Sequence, residues 1–348
     1  MKAIIFKTKP YSMFRLGAGS KDEVDLIIHS DTLFSAIISM HSQIFENTDE
    51  FVELFINDQI KISSAFPMLL NEEQKLKIMY LPKPELNYSY SEDIKAEKKI
   101  KFISYSIWEK LFINEGSNSL TFSDKEKYLF LNGSFVCLKD EIGLNKISMA
   151  DSFLSKEIYA KTKVHSSTQE DSFYHETNIQ LMPLKLQNGE MLNPQYYFLL
   201  EADCEKIFLD EFYTCLRVLA DEGIGGERST GKGHFDDIII EDIVLPEILN
   251  PTQYFTLSLT NPLSQVEFDS FIRYDIITRG GGSISLDDDV ETYAFDSKPY
   301  RKKQVRMIAE GALINNSING RLVDISPDTN TANHKFYRNG KCFSLPIG

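Results

Sequence analysis

The chain has 348 residues, 42% hydrophobic and 12% aromatic, which is enough apolar material for a sizeable core and a length that suggests two domains. Its formal net charge of −14 excludes a protein that meets nucleic acid over its whole surface, because phosphate neutralisation supplies most nonspecific affinity. No stretch reaches transmembrane length, the N-terminal apolar run is too short for a signal peptide, and the four cysteines lack disulfide or zinc-ligand spacing; a folded cytoplasmic protein with no membrane contact, metal or cofactor is expected.

In chain order, residues 2–7 read as a first strand, and Ser30 and Asp31 as the cap of a helix carrying Leu33, Phe34, Ile37, Ile38, Ile44 and Phe45. A short helix over 49–57 follows, then extended segments at 61–66 and 75–81. Residues 82–100, opened by Pro82 and Pro84, read as a polar connector. Around Asn132-Gly133, residues 128–138 alternate either as a hairpin or as a turn between helix and strand. Residues 161–178 place two strand-like arms about a polar tip at 166–171, a protruding hairpin. A strand at 196–200, a helix over 205–221 with Ile207, Phe208, Phe212, Cys215, Leu216 and Leu219 at helical spacing, and a strand at 235–240 complete a second β-α-β unit. Two such units bracket residues 1–243 and predict a ferredoxin-like β-α-β-β-α-β domain with a large insertion between its halves. Past Pro246 and Pro251 the pattern turns to strands at 255–259, 274–278, 304–308, 321–325 and 342–345, with Arg338-Asn339-Gly340-Lys341 as a hairpin turn.

The stretch from Gly223 to Phe235 lies between the second helix and the last strand of that unit. Gly225, Gly226, Gly231 and Gly233 permit positive φ and close backbone approach, so amides can converge on an anion while Arg228 and Lys232 supply charge. It nearly spells a nucleotide P-loop, but Gly233 replaces the magnesium-binding hydroxyl, and the order is helix to strand, the reverse of a P-loop. The phosphate of a nucleic-acid backbone fits better than ATP or GTP, and a helix-capping surface turn is the simpler alternative. A second glycine run, Arg279-Gly280-Gly281-Gly282, precedes a basic segment, 298–306, that holds five basic residues and no acidic one. That segment reads either as a phosphate-binding surface or as a solvated strand edge.

Three segments together, His29-Ser-Asp-Thr-Leu-Phe-Ser-Ala36, the loop 223–233 and Arg301-Lys-Lys-Gln-Val-Arg-Met-Ile-Ala-Glu-Gly311, resemble the fourth subunit of the type III-A CRISPR effector, the Csm complex, within the RAMP superfamily. The resemblance runs from the first strand to Pro346. It implies a fold class of α+β with two ferredoxin-like (RRM-like) domains, at 1–250, which carries the large insertion, and at 251–348. It also implies a noncatalytic RNA-binding subunit that holds the repeat-derived 5′ tag of the CRISPR RNA and links the large polymerase-like subunit to the backbone RAMP subunit. Carried onto this chain, Gly225, Gly226, Arg228, Ser229, Thr230, Gly231 and Lys232, with Gly233 and His234 beside them, would cradle tag phosphates. The 161–178 hairpin would match the family's thumb, with Lys161, Lys163 and His165 as its RNA contacts, and His29, Arg279, Gly280, Gly281, Arg301, Lys302 and Lys303 are further candidates.

Asp31 follows the first strand, where a carboxylate of a related backbone subunit takes part in metal-dependent target cleavage, but helix capping or a structural role accounts for it without a metal. The main rival function is a metal-independent endoribonuclease that matures the CRISPR precursor, which needs a base for the ribose 2′-hydroxyl. His29, His165 and His234 are the residues available for that chemistry. A purely structural protein adaptor is the third reading.

Overall fold

The computed structural model describes all residues except 18–22, 72, 74, 89–93, 111–118, 121, 123, 125, 144–151, 164–171, 247, 249, 283–300, 328–333 and 348. The N-terminal part runs β1 (Lys2–Lys7), β2 (Met13–Phe14), α1 (Ser30–Ile44), α2 (Thr48–Ile56), β3 (Ile60–Ile62), β4 (Phe66–Asn71), β5 (Lys77–Pro82), β6 (Asn87–Tyr88), α3 (Ile94–Lys99), β7 (Phe102–Ser104), α4 (Tyr105–Trp108) and β8 (Ser119–Leu120). It continues through β9 (Tyr128–Leu131), β10 (Phe135–Leu138), β11 (Leu154–Lys163), β12 (Ser172–Leu181), β13 (Leu184–Lys185), β14 (Met191–Ala202), α5 (Lys206–Glu222) and β15 (Asp237–Asp242). The C-terminal part comprises β16 (Gln253–Thr256), α6 (Gln265–Phe268), β17 (Phe271–Arg273), β18 (Ile276–Gly282), β19 (Arg301–Ile308), β20 (Leu313–Ile314), β21 (Gly320–Asp324), β22 (Tyr337–Lys341) and β23 (Ser344–Ile347). It is a mixed fold of extensive sheet and few helices, and no helix among the described residues is long and apolar enough to cross a membrane.

The main sheet has ten strands, with β15-β1-β14-β4 at one end, every neighbouring pair of these four antiparallel. It extends from β4 through β5, β7, β10 and β9, with β7 and β10 parallel. Ala3, Ile4, Ile5 and Phe6 of β1 are consecutive and all buried, so this strand is covered on both faces, and Phe6 stacks on Phe235 at a centroid distance of 4.4 Å. The α5 stripe buries Phe212, Cys215, Leu216 and Leu219 as the spacing predicts, whereas Ile207, in the first turn, lies outside it and is exposed. In the C-terminal part the sheet order is β17-β20-β16-β23. In order of appearance, that is the same second-third-first-fourth permutation as β4-β14-β1-β15. Here the first crossover carries only the short α6, and the β21–β22 pair occupies the second. Phe255, Leu257, Phe343, Leu345 and Ile347 join the same hydrophobic cluster as the N-terminal sheet, so one core runs across residue 250.

Several local expectations change. Residues 82–100 are more than a polar connector: β6 and α3 fall there, and Leu86 and Ile100 are buried. Asn132 and Gly133 both have positive φ, 53° and 62°, and join β9 to β10 as a hairpin. Asn339-Gly340, by contrast, is no turn but the middle of β22, where a Cβ on Gly340 would lie 2.6 Å from Cβ of Asn261 and 2.8 Å from the carbonyl of Arg321. Glycine serves there for close backbone approach rather than for reversal. Helix α1 begins after His29, whose side chain forms no cap bond; Ser30 and Asp31 lie inside the first turn and are buried.

Candidate nucleic-acid interface

The glycine loop is shaped chiefly by the strand beneath it. Helix α5 ends at Gly223 (φ 80°), and Gly225 (φ 94°), Glu227 (φ 61°), Gly231 (φ 85°) and Gly233 (φ 81°) all take positive φ. The amide of Gly226 donates to the Arg15 carbonyl at 2.9 Å, that of Gly233 to Met13 at 2.8 Å, and that of Gly231 to Arg228 at 3.0 Å. A Cβ on Gly225 would stand 2.5 Å from the Arg15 oxygen. These three amides are therefore occupied by protein carbonyls and not free to converge on phosphate. The outward turn is different: Arg228, Ser229, Thr230 and Gly231 are exposed, and the Arg228 guanidinium has no ion pair among the described residues. His234 closes the loop, with its ring nitrogens facing the carbonyls of Asp221 and, at 3.1 Å, Arg228.

A residue that sequence reasoning missed organises this corner. Glu176 of β12 has a fully buried side chain, and its carboxylate accepts from Lys161 at 2.7 Å, from Lys232 and, at 3.1 Å, from Asn178, with Arg15 at 3.1 Å. Lys161 also reaches Glu227 of the loop at 3.2 Å. Burial alone would push the Glu176 carboxyl up, but the hydrogen bonds from Lys161, Lys232 and Asn178 outweigh it and hold the group at about 2. Lys161 and Lys232, expected as phosphate contacts, are thus anchored on a buried carboxylate. Together they fasten the β11–β12 hairpin to the glycine loop. With Arg228 beside them, Arg15, Lys161 and Lys232 leave an excess of positive charge over Glu176 and Glu227 on an acidic chain. No pattern in the sequence distinguishes Glu176 from its acidic neighbours, because its partners come from three separate strands and loops.

The hairpin itself is longer than the arms read from the sequence, with ten residue pairs from Leu154↔Leu181 to Lys163↔Ser172. Lys163 ends β11, and His165 with the rest of the tip lies outside the described residues. One face of the hairpin, opposite Glu176 in the strand alternation, presents Ile158 (67% exposed) and Phe173 (64%), with His175 edge-on to Phe173 at 5.1 Å.

The remaining candidates divide between a buried ion network and a strand surface. His29 is only slightly exposed, with Nδ1 2.8 Å from Glu310 and Nε2 3.4 Å from Asp25. Burial opposes its charge, but Glu310 and Asp25 overcome this and raise its pKa to about 10. Asp31 accepts two bonds from Arg279, Nε at 3.0 Å and Nη2 at 3.1 Å, and a further one from Arg338. Those arginines hold its carboxyl below the usual range despite burial, so Asp31 has a structural role as an ion-pair partner and is not the cap. Arg279, expected at an RNA surface, is 5% exposed and paired with Asp31, and His29 lies in the same buried network. Gly280 sits at a bulge between β18 and β19, its carbonyl accepting from Arg338 at 3.0 Å, and Gly281 pairs with Lys302. Arg301 begins β19, Lys302 lies over the Phe336 ring at 4.7 Å, and Lys303 is exposed.

Residues 250–347 match the family model for the CRISPR Csm4 C-terminal domain. The chain is 28% identical over 395 aligned positions to the CRISPR system Cms protein Csm4 of Methanocaldococcus jannaschii, covering 100% of this chain and 98% of that protein. Among solved structures it is similar to a chain of the Csm3-Csm4 subcomplex of a type III-A CRISPR-Cas interference complex, with a TM-score of 0.66, 23% identity and 100% of both chains covered. It is also similar to a chain of the Csm1-Csm4 cassette in complex with cA4, with a TM-score of 0.54, 17% identity, and 100% of this chain and 98% of that one covered.

Proposed function

Taking as premise that the resemblance to Csm4, the fourth subunit of type III CRISPR complexes, holds from one end of the chain to the other, we propose that the protein is a noncatalytic RNA-binding subunit. It holds the repeat-derived 5′ tag of a CRISPR RNA and links a large polymerase-like subunit to a backbone subunit in the cytoplasm. The names of its structural neighbours, Csm1-Csm4 and Csm3-Csm4, support those two partners. The antiparallel order β15-β1-β14-β4, with α1 and α5 as crossovers, and its repetition in β23-β16-β20-β17 support two ferredoxin-like halves.

The observation that carries the RNA reading is the Glu176 cluster: a buried carboxylate fixes the glycine loop and the hairpin as one surface, from which Arg228 and the 229–231 turn project. On this reading Arg228 meets phosphate, and the Ile158 and Phe173 face of the hairpin packs against splayed bases. Lys303, on the β19 surface, provides a second approach to the backbone of the strand. The endoribonuclease reading has less support, because His29 and His234 are both engaged by protein oxygens.

The test is a titration of this chain, copurified with its large partner, using labelled RNA with an intact or scrambled 5′ tag in EDTA, followed by a denaturing gel. Tighter binding of the intact tag with unshortened RNA supports the tag-holding role. Tag-independent binding reduces the protein to a scaffold, and site-specific shortening in EDTA moves the endoribonuclease to first place.

A further inference from the structure

The C-terminal part carries a groove that the RNA reading leaves unused. It lies between residues 261–268 and the β18–β19 pair, has a volume of about 400 Å³, and is lined by Leu263, Phe268, Ile276, Met307, Arg306 and Arg321 among others. Two aliphatic residues of this lining stand in solvent: Leu263 is 59% exposed and Ile276 54%. Scattered singly, such residues need no explanation, but gathered around one groove they mark a contact surface. Part of the packing behind the groove belongs to a small satellite cluster containing Phe271, Ile308 and Ile314, separate from the main core.

The charge around the groove is one-sided. Glu267 is directed at backbone: Oε2 accepts from the amides of Leu263 (2.7 Å) and Gly320 (3.2 Å), and Oε1 from Asn319 (3.1 Å). Asp269 accepts from the Gln265 side chain at 2.7 Å. Arg306 is exposed and forms no ion pair among the described residues, and the Arg321 side chain bonds only the neutral Asn261 Oδ1, at 2.8 Å. An apolar floor with two guanidiniums lacking a carboxylate is complementary to an apolar segment that carries one, since arginine and carboxylate form strong two-point pairs.

We infer that this groove docks a segment of a protein partner that lays aliphatic side chains over Leu263 and Ile276 and sets an Asp or Glu against Arg306 and Arg321. The lining favours protein over a nucleotide, because the exposed Leu263 and Ile276 are best buried by apolar side chains of a partner. This rests on the reading that the chain works inside an assembly, and adds the face and the chemistry of one of its contacts.

The experiment uses the complex copurified with the large polymerase-like and backbone subunits, with p-benzoylphenylalanine introduced at position 263. Irradiation should join the chain to a protein subunit, at a segment that contains an acidic residue. Leu263→Asp combined with Arg306→Glu should reduce retention of that subunit at least tenfold, while the melting temperature of the free chain stays unchanged. Lysine in place of the mapped acidic residue should restore retention of Arg306→Glu. A crosslink to RNA or to a second copy of the chain, or none in an assembly that still holds both subunits, overturns the docking inference and leaves the assembly reading standing. Failure of the unmodified chain to copurify with either subunit overturns both.

Discussion

At the scale of single residues, two buried ionisable groups have opposite pH signatures. Glu176 is held at about 2 against an ordinary value of 4.5, so its contribution is complete above pH 4.5 and disappears as pH falls toward 2. Glu176→Gln should destabilise the protein at neutral pH by about 3 kcal/mol, since it leaves buried cations without their carboxylate. In urea unfolding, the gap between wild type and variant should narrow through that acid window; a gap independent of pH would show that the carboxylate charge is not what holds the hairpin. His29 behaves in the reverse sense. Its pKa is raised from 6.5 to about 10, so its contribution is complete below pH 6.5 and is lost as pH climbs through about 10. Wild type and His29→Gln should therefore differ most below pH 6.5 and converge in alkali, and unfolding curves equally far apart at pH 6 and pH 10 would refute the ion pairs with Glu310 and Asp25.

At the scale of elements, the glycine loop contains glycines of two kinds. Gly225 is constrained by the Arg15 carbonyl as well as by its φ, whereas a Cβ on Gly231, at φ 85°, meets nothing within 4 Å. Gly231→Ala should cost only the left-handed backbone penalty of about 1 kcal/mol. Gly225→Ala should displace the loop from β2 and lower the melting temperature distinctly more; equal losses for the two variants would contradict the packing described. Much at this scale was legible in the sequence: the first strand, α2, the hairpin, the α5 stripe and the loop that follows it all follow from periodicity and turn chemistry. The failures share a cause. Asn339-Gly340 has the composition of a turn, yet tertiary approach by Asn261 and Arg321 draws it into a strand. Ser30 and Asp31 have the composition of a cap, but the arginines that claim Asp31 lie 248 and 307 residues away along the chain.

Across the whole molecule, those long-range pairs join widely separated segments. His29 and Asp31 start α1, Arg279 lies in β18, Arg338 in β22, and Glu310 follows β19. Their charges meet where the two halves of the chain join. Ser30 adds to the seam by accepting from the Leu259 amide at 3.0 Å, and Lys341 by pairing with Asp58 at 3.0 Å. Arg279→Met should leave Asp31 with one guanidinium and destabilise the chain by about 3 kcal/mol. Limited proteolysis should then cut between the halves sooner than in wild type, and an unchanged digestion pattern would argue against the seam. The sequence could show that these residues were basic or acidic, but not that most of them face each other and only a few face solvent. That distinction bears on the proposed RNA surface, where Arg228 is exposed and Lys232 is anchored on Glu176. The most direct measurement is therefore the salt dependence of tag-RNA binding by the copurified complex carrying Arg228→Ala. The log–log slope should fall in magnitude by about 0.7, the loss of one single-strand phosphate contact. A slope and affinity identical to wild type would remove the glycine loop from the RNA site and, with it, the central claim.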